Sequence, residues 1–194
     1  PFVNTFDHIE IAKSVLQSFD RTLEILQTRI IKRYIPVYGM GHSMGCKLHL
    51  LIGSLFQVER AGNILISFNN FAAKDAVPLV EQFSAVFSVE FTPSPLETNK
   101  IIGDRYQVRR NLLVKFDNDS IDQTYTLSEL LKKRFPDMVT FQTLKGSHTT
   151  PIGQDFKWET GSSFSPFDAI GQWMRQEIYR ELQGLETALI RWLN

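Results

Sequence analysis

One stretch limits the fold more than any other. Ile35-Pro36-Val37-Tyr38 reads as a short apolar strand, its Pro tolerated near the start. It runs without a loop into Gly39-Met40-Gly41-His42-Ser43-Met44-Gly45, and Cys46 to Leu55 reads as a helix. Gly41-His42-Ser43-Met44-Gly45 matches G-x-S-x-G, and a strand entering with a helix leaving is the context that pattern requires. A tight strand-to-helix turn forces its middle residue into strained backbone angles and lifts the side chain above the sheet. Glycines two residues to either side leave room for close chain approach. The helix N-terminus sets a positive dipole and the free amide of Met44 beside the Ser43 hydroxyl. The bland alternative is a tight turn in which Ser43 only caps the helix.

The remaining pattern fits strands alternating with helices. Ile9, Ala12, Leu16, Phe19, Leu23, Leu26 and Ile30 recur at steps of three and four, predicting a helix to about Lys32 with one buried stripe. Asn63 to Phe68 is a continuous apolar run, expected of a strand buried on both faces. A helical region follows from about Asp75 to Phe87, and Ser94-Pro95-Leu96-Glu97 is a capping box that opens a helix to about Tyr106. Leu112 to Phe116 and Val139 to Leu144 are two further strands. Between them Thr126-Leu127-Ser128-Glu129 is a second capping box, for a helix ending before Pro136. Ser165-Pro166-Phe167-Asp168 opens a last helix with Ile170, Met174, Ile178, Leu182, Leu185 and Leu189 on one face. This is an α/β arrangement: one domain over 1–194, a parallel sheet flanked by helices. Its four strands are expected in sequential order with the elbow strand at one edge. About 40 residues separate the second and third strands, long for a crossover, so 69–110 is expected to add a cap or lid.

A serine nucleophile needs a base, and the base an orienting acid. The third strand runs into Asp117-Asn118-Asp119-Ser120-Ile121-Asp122 and the fourth into Lys145-Gly146-Ser147-His148, both at the sheet edge where ligands bind. Asp119, three residues past its strand, is the preferred acid. Asp122 stands next, with a helix cap as its other role, and Asp117 is read as capping the turn. His148 lies in a loop before Thr149-Thr150-Pro151. His42 lies inside the elbow, with its side chain expected to point away from Ser43, yet it joins Asn69 and Asn70 as a candidate substrate contact. The two amides at the second strand's end either read a polar substrate or lock a turn. His49 is expected to be buried, His8 to support the first helical turn, and Cys46 to pack rather than react. No metal-ligand spacing occurs, and no cofactor is called for.

The chain carries 21 basic and 21 acidic residues among 194, a net charge of zero that gives no support to a nucleic-acid partner. Lys132-Lys133-Arg134, Arg109-Arg110 and Lys32-Arg33 read as solvated or helix-end charges. One cysteine excludes an internal disulfide framework and suits a reducing compartment. No apolar run approaches the roughly 18–20 residues of a membrane span, and the residues from Pro1-Phe2-Val3 onward show no basic-plus-apolar signal pattern, in a sequence that opens without an initiator Met.

Several strings resemble the α/β-hydrolase-like family of cyanobacteria and plant chloroplasts known as domain of unknown function 1350. They are Pro1 to His8, Gly41 to His49, Ile66-Ser67-Phe68-Asn69-Asn70, Phe91 to Pro95, Asp119 to Asp122 and Gly146 to Pro151, spread over essentially the whole chain. The resemblance implies the α/β-hydrolase fold and a Ser43–His148–Asp119 triad. It also implies a location in a cyanobacterial cytoplasm or a chloroplast. It further implies earlier strands and a Gly-rich loop before the equivalent of Pro1, the source of a second oxyanion amide. The N-terminal strands are therefore expected to be missing here, with the exposed elbow strand favouring self-association.

Two functions follow as expectations. In the first, an esterase-, lipase- or thioesterase-like serine hydrolase, or an acyltransferase, acts on a small acyl substrate. Ser43 attacks, His148 moves the proton, Asp119 orients the imidazole and the Met44 amide steadies the oxyanion. Phe71, Phe83, Phe87 and Phe91 are candidates for an apolar pocket, although core packing explains most of them. In the second, a catalytically inactive α/β-hydrolase-like module binds or scaffolds.

Overall fold

A computed structural model describes residues 6–29, 35–73, 90–153 and 166–194. Helix α1 (His8–Arg29) begins where the Asp7 carboxylate accepts the amides of Ile9 and Glu10 at 2.9 and 3.0 Å. Asp7, and not His8, therefore satisfies the first turn. Strand β1 (Tyr38–His42) leads into α2 (Met44–Leu55), and β2 (Gly62–Ile66) follows. After α3 (Pro95–Arg105) come β3 (Asn111–Asn118), α4 (Thr124–Arg134) and β4 (Val139–Ser147). A 3-10 turn (Thr150–Ile152) and α5 (Pro166–Leu193) complete the order. No helix among the described residues is long and apolar enough to cross a membrane.

Among the described residues four strands are parallel in the order β1-β2-β3-β4, with the elbow strand at one edge as the pattern predicts. Alternation within the buried strands divides the core. Leu65 and Leu113 face α2, α3 and α4 together with Cys46, Leu50, Ile102 and Leu127. Ile64, Ile66, Leu112, Val114 and Phe116 face the other way, onto Leu185 and Trp192 of α5. Both faces of β2 and β3 are covered, which is why these strands read as unbroken apolar runs.

Three local expectations are corrected. The first strand does not lie over Ile35–Tyr38 but starts at Tyr38 and includes Gly39 and Gly41, while Gly45 belongs to α2, with pairing from Tyr38↔Gly62 to His42↔Ile66. Those glycines look like turn residues because they lack side chains, yet a Cβ at Gly41 would lie 2.6 Å from Cys46 N and the Gly45 carbonyl. Gly41 is thus demanded by helix contact, whereas a Cβ at Gly45 would meet nothing within 4 Å. The α4 helix starts two residues before Thr126, because Asp122 accepts the amide and hydroxyl of Thr124 at 2.9 and 2.7 Å. By contrast the Ser94–Glu97 box forms as read. Finally, the stripe of α1 is buried only in part. Ala12, Val15 and Leu16 pack on Leu51 and Ile52, but Phe19 and Leu26 are exposed. At 1.5 Å per residue, 22 residues of α1 span about 33 Å and 12 of α2 about 18 Å, so the longer helix outruns its partner.

The helix expected over 75–87, with Phe83 and Phe87, lies outside the described residues, as do Pro1 to Thr5, Ile30, Lys32-Arg33 and Ser165. The side chains of Ile170 and Met174 do so too. Within 69–110, α3 packs beside α2, burying Thr98 and Ile102. Arg134, read as a solvated charge, caps this neighbour by donating to the carbonyls of Gly103 and Tyr106 at 2.6 and 3.1 Å.

Candidate active site

Ser43 lies where β1 turns into α2, with φ 56° and ψ −124°. This is left-handed backbone for a residue with a Cβ, and conformations of this kind cost on the order of 1–3 kcal/mol. The surroundings impose it. The Ser43 amide donates to Ile66 O at 2.9 Å, extending the ladder by one residue, while its carbonyl accepts from Cys46 N at 3.0 Å. Below the turn the buried Cys46 thiol donates to the carbonyls of Gly41 and Ile66 at 3.1 and 3.2 Å. Burial pushes that thiol well above the ordinary range, so Cys46 packs and does not react. The Ser43 side chain makes no helix-capping bond, against the reading in which it only caps α2.

The hydroxyl instead faces His148. Ser43 Oγ lies 3.0 Å from His148 Nε2, and His148 Nδ1 lies 2.9 Å from Asp119 Oδ2. Asp119 is buried and its other oxygen accepts the Ile121 amide at 3.1 Å, so the carboxylate is held at both ends. The neighbouring acids are engaged elsewhere. Asp122 binds Lys115 and Thr124. Asp117 reaches β4, pairing with Lys145 at 2.7 Å and accepting the Gly146 amide at 3.2 Å. The hydrogen bond with Lys145 holds the Asp117 carboxyl below the usual range.

The loop that carries His148 is fastened on three sides. Gly146 has φ 135°, and a Cβ there would lie 2.6 Å from Thr150 Oγ1 and 2.9 Å from Phe116. Thr150 Oγ1 accepts the Ser147 amide at 2.8 Å and donates to Glu181 of α5 at 2.8 Å. His42 Nε2 donates to the His148 carbonyl at 2.8 Å, and the two rings lie 4.9 Å apart. His42 is therefore directed at His148, a partner that its place in the turn did not indicate. Burial holds its ring below the ordinary histidine range, so it is neutral, with its proton on the nitrogen that donates.

The two asparagines separate. Asn70 turns into the fold: its side-chain amide donates to Pro95 O and Asn99 Oδ1 at 2.9 and 3.1 Å, while its backbone amide goes to Gln123 Oε1 at 2.7 Å. It locks the turn that follows β2. Asn69 points the other way, with Nδ2 at 3.0 Å from Ser43 Oγ. The Met44 amide, first in α2, has no backbone partner among the described residues.

The other histidines stand apart from this chain of bonds. His8 is buried with its ring stacked on Phe91 at 4.4 Å, and burial lowers its pKa to about 4. His49 meets Arg60 at 2.7 Å and is likewise lowered to about 4, mainly by burial. Among the described residues, no group of three His, Cys, Asp or Glu is placed to hold a metal ion. Thr150, Glu181 and the contact of His42 with His148 were not foreseen. Glu181 lies 31 residues from Thr150 and carries no local signal, and His42 and His148 are 106 positions apart.

A parallel sheet in sequential order, a serine at positive φ where strand becomes helix, and an acid and a histidine just past the ends of β3 and β4 define an α/β-hydrolase fold. An acylaminoacyl peptidase of Pyrococcus horikoshii superposes with a TM-score of 0.50 at 16% identity, over 75% of this chain and 24% of that one. SOBER1 of Arabidopsis thaliana gives a TM-score of 0.45 at 18% identity, over 90% of this chain, and a Paleococcus ferrophilus monoacylglycerol lipase 0.46 at 14%, over 87%. The chain spans 64% of the SOBER1 chain and 76% of the lipase chain. No curated protein sequence matches it. The chain belongs to the family described as Protein of unknown function (DUF1350), matched over residues 1–194.

Proposed function

We propose that the protein is a serine hydrolase or acyltransferase acting on an ester, thioester or amide. The observation that carries this reading is the unbroken bond chain from Asp119 through His148 to a strained Ser43, with steps of 2.9 and 3.0 Å. Ser43 Oγ attacks the substrate carbonyl carbon as its proton passes to His148 Nε2 and the carbonyl π pair moves to oxygen. Asp119 keeps the imidazole in the tautomer that can accept this proton and steadies the imidazolium. The Met44 amide donates to the oxyanion. His148 returns the proton to the leaving group, and water or a second acceptor then releases the acyl group. The chain's resemblance to a family of cyanobacteria and plant chloroplasts supports a location in a cyanobacterial cytoplasm or a chloroplast.

The test uses a fluorophosphonate probe on the full-length protein. The expected result is covalent labelling of Ser43, lost in Ser43→Ala with an unchanged circular-dichroism spectrum. Absence of labelling in the folded wild type, or equal labelling of Ser43→Ala, favours instead the inactive binding module.

A further inference from the structure

The direction of every hydrogen bond at Ser43 follows from its far end. A carboxylate only accepts, so in the 2.9 Å contact with Asp119 Oδ2 His148 Nδ1 is the donor. An imidazole that carries its proton on Nδ1 presents a lone pair at Nε2, and the Ser43 hydroxyl 3.0 Å away donates into it. Oγ is left with lone pairs only. The side chain at 3.0 Å on Oγ, that of Asn69, must therefore supply a proton, which sets Nδ2–H toward Oγ.

This amide is not needed to build the turn it stands on. Gln123 holds that turn, donating its backbone amide to Phe68 O at 2.7 Å and accepting the Asn70 amide at 2.7 Å, while Thr124 Oγ1 accepts from Phe68 N at 3.0 Å. Asn69's side chain forms one hydrogen bond among the described residues, and it is to the reacting oxygen.

We infer that Asn69 is a further catalytic residue, a donor that orients Ser43 Oγ and stabilises the negative charge developing on it during attack. This rests on the function proposed above. As the Oγ–H bond breaks toward His148 Nε2 and the Oγ–C bond forms, electron density on Oγ peaks before the carbonyl oxygen takes it up. A fixed N–H aimed at Oγ favours that stage and needs no reorganisation. It also keeps the hydroxyl in the rotamer from which the proton reaches His148. No residue without a side-chain donor can replace it.

The experiment measures the rate constant for fluorophosphonate labelling of Ser43 in full-length wild type, Asn69→Ala and Asn69→Asp, from about pH 5 to pH 9. Asn69→Ala should react about 10- to 100-fold more slowly, the rate equivalent of one hydrogen bond to a developing charge. Asn69→Asp has the same shape but accepts when ionised. It competes with His148 for the Oγ proton and repels the charge on Oγ. Its deficit relative to wild type should therefore widen as pH rises through the new carboxyl's titration. Thermal midpoints are recorded beside the rates. Wild-type rates and an unchanged pH profile in both variants would overturn this role and leave the proposed function standing. A pH-independent loss that tracks a lowered midpoint would also overturn it, in favour of a structural role. A wild type that is not labelled at Ser43 would overturn both.

Discussion

Replacing Asp119 by Asn tests the bond chain at the point where the structure makes the sharpest demand. The two carboxylate oxygens face two donors, Ile121 N at 3.1 Å and His148 Nδ1 at 2.9 Å. An amide offers one oxygen and one NH2. If its oxygen stays on Ile121, the NH2 faces His148, and the ring must move its proton to Nε2, where it can no longer take one from Ser43. The productive tautomer survives only with the NH2 turned against the Ile121 amide. That leaves two donors opposed in a buried place and costs on the order of 1–3 kcal/mol, a population of about one in five to one in 150. Loss of the negative charge beside the imidazolium removes roughly a further tenfold. Hydrolysis of a short-chain aryl ester by full-length Asp119→Asn should therefore fall about 10²- to 10³-fold, yet stay above the Ser43→Ala background. Turnover within a factor of about two of wild type would refute the tautomer argument, because an active base needs Nε2 unprotonated.

Two further outcomes are expected. His42→Phe keeps ring packing but removes the 2.8 Å bond to the His148 carbonyl, so aryl-ester turnover should drop about tenfold while the thermal midpoint changes little. His8 titrates near 4 in the fold against 6.5 when free, so the unfolded chain binds the extra proton between those values. Stability is therefore intact above about pH 6.5 and falls as pH drops toward 4, by up to about 3 kcal/mol. In urea titrations across that window, His8→Phe should lose stability with acid less steeply than wild type, the remainder coming from groups such as His49.

Much of the fold was legible because its signals are local. The G-x-S-x-G turn, the buried runs at Asn63–Phe68 and Leu112–Phe116, and the Ser94 box each depend on a few adjacent residues whose periodicity or side-chain chemistry has one good solution. The order Ser43, Asp119, His148 was readable for a similar reason: parallel strands in sequence order place successive strand ends along one edge. What stayed hidden depends on neighbours distant in the chain. The strand start at Tyr38 rests on pairing with Gly62, and the part-exposed stripe of α1 on the length of α2. The opposite fates of Asn69 and Asn70 follow from which face of one turn meets Ser43 and which meets α3. A sequence states which residues can accept, donate or pack. Only the tertiary structure decides which of them lie within 3 Å of one another, because hydrogen-bond selection is made by contacts between segments that the chain keeps far apart.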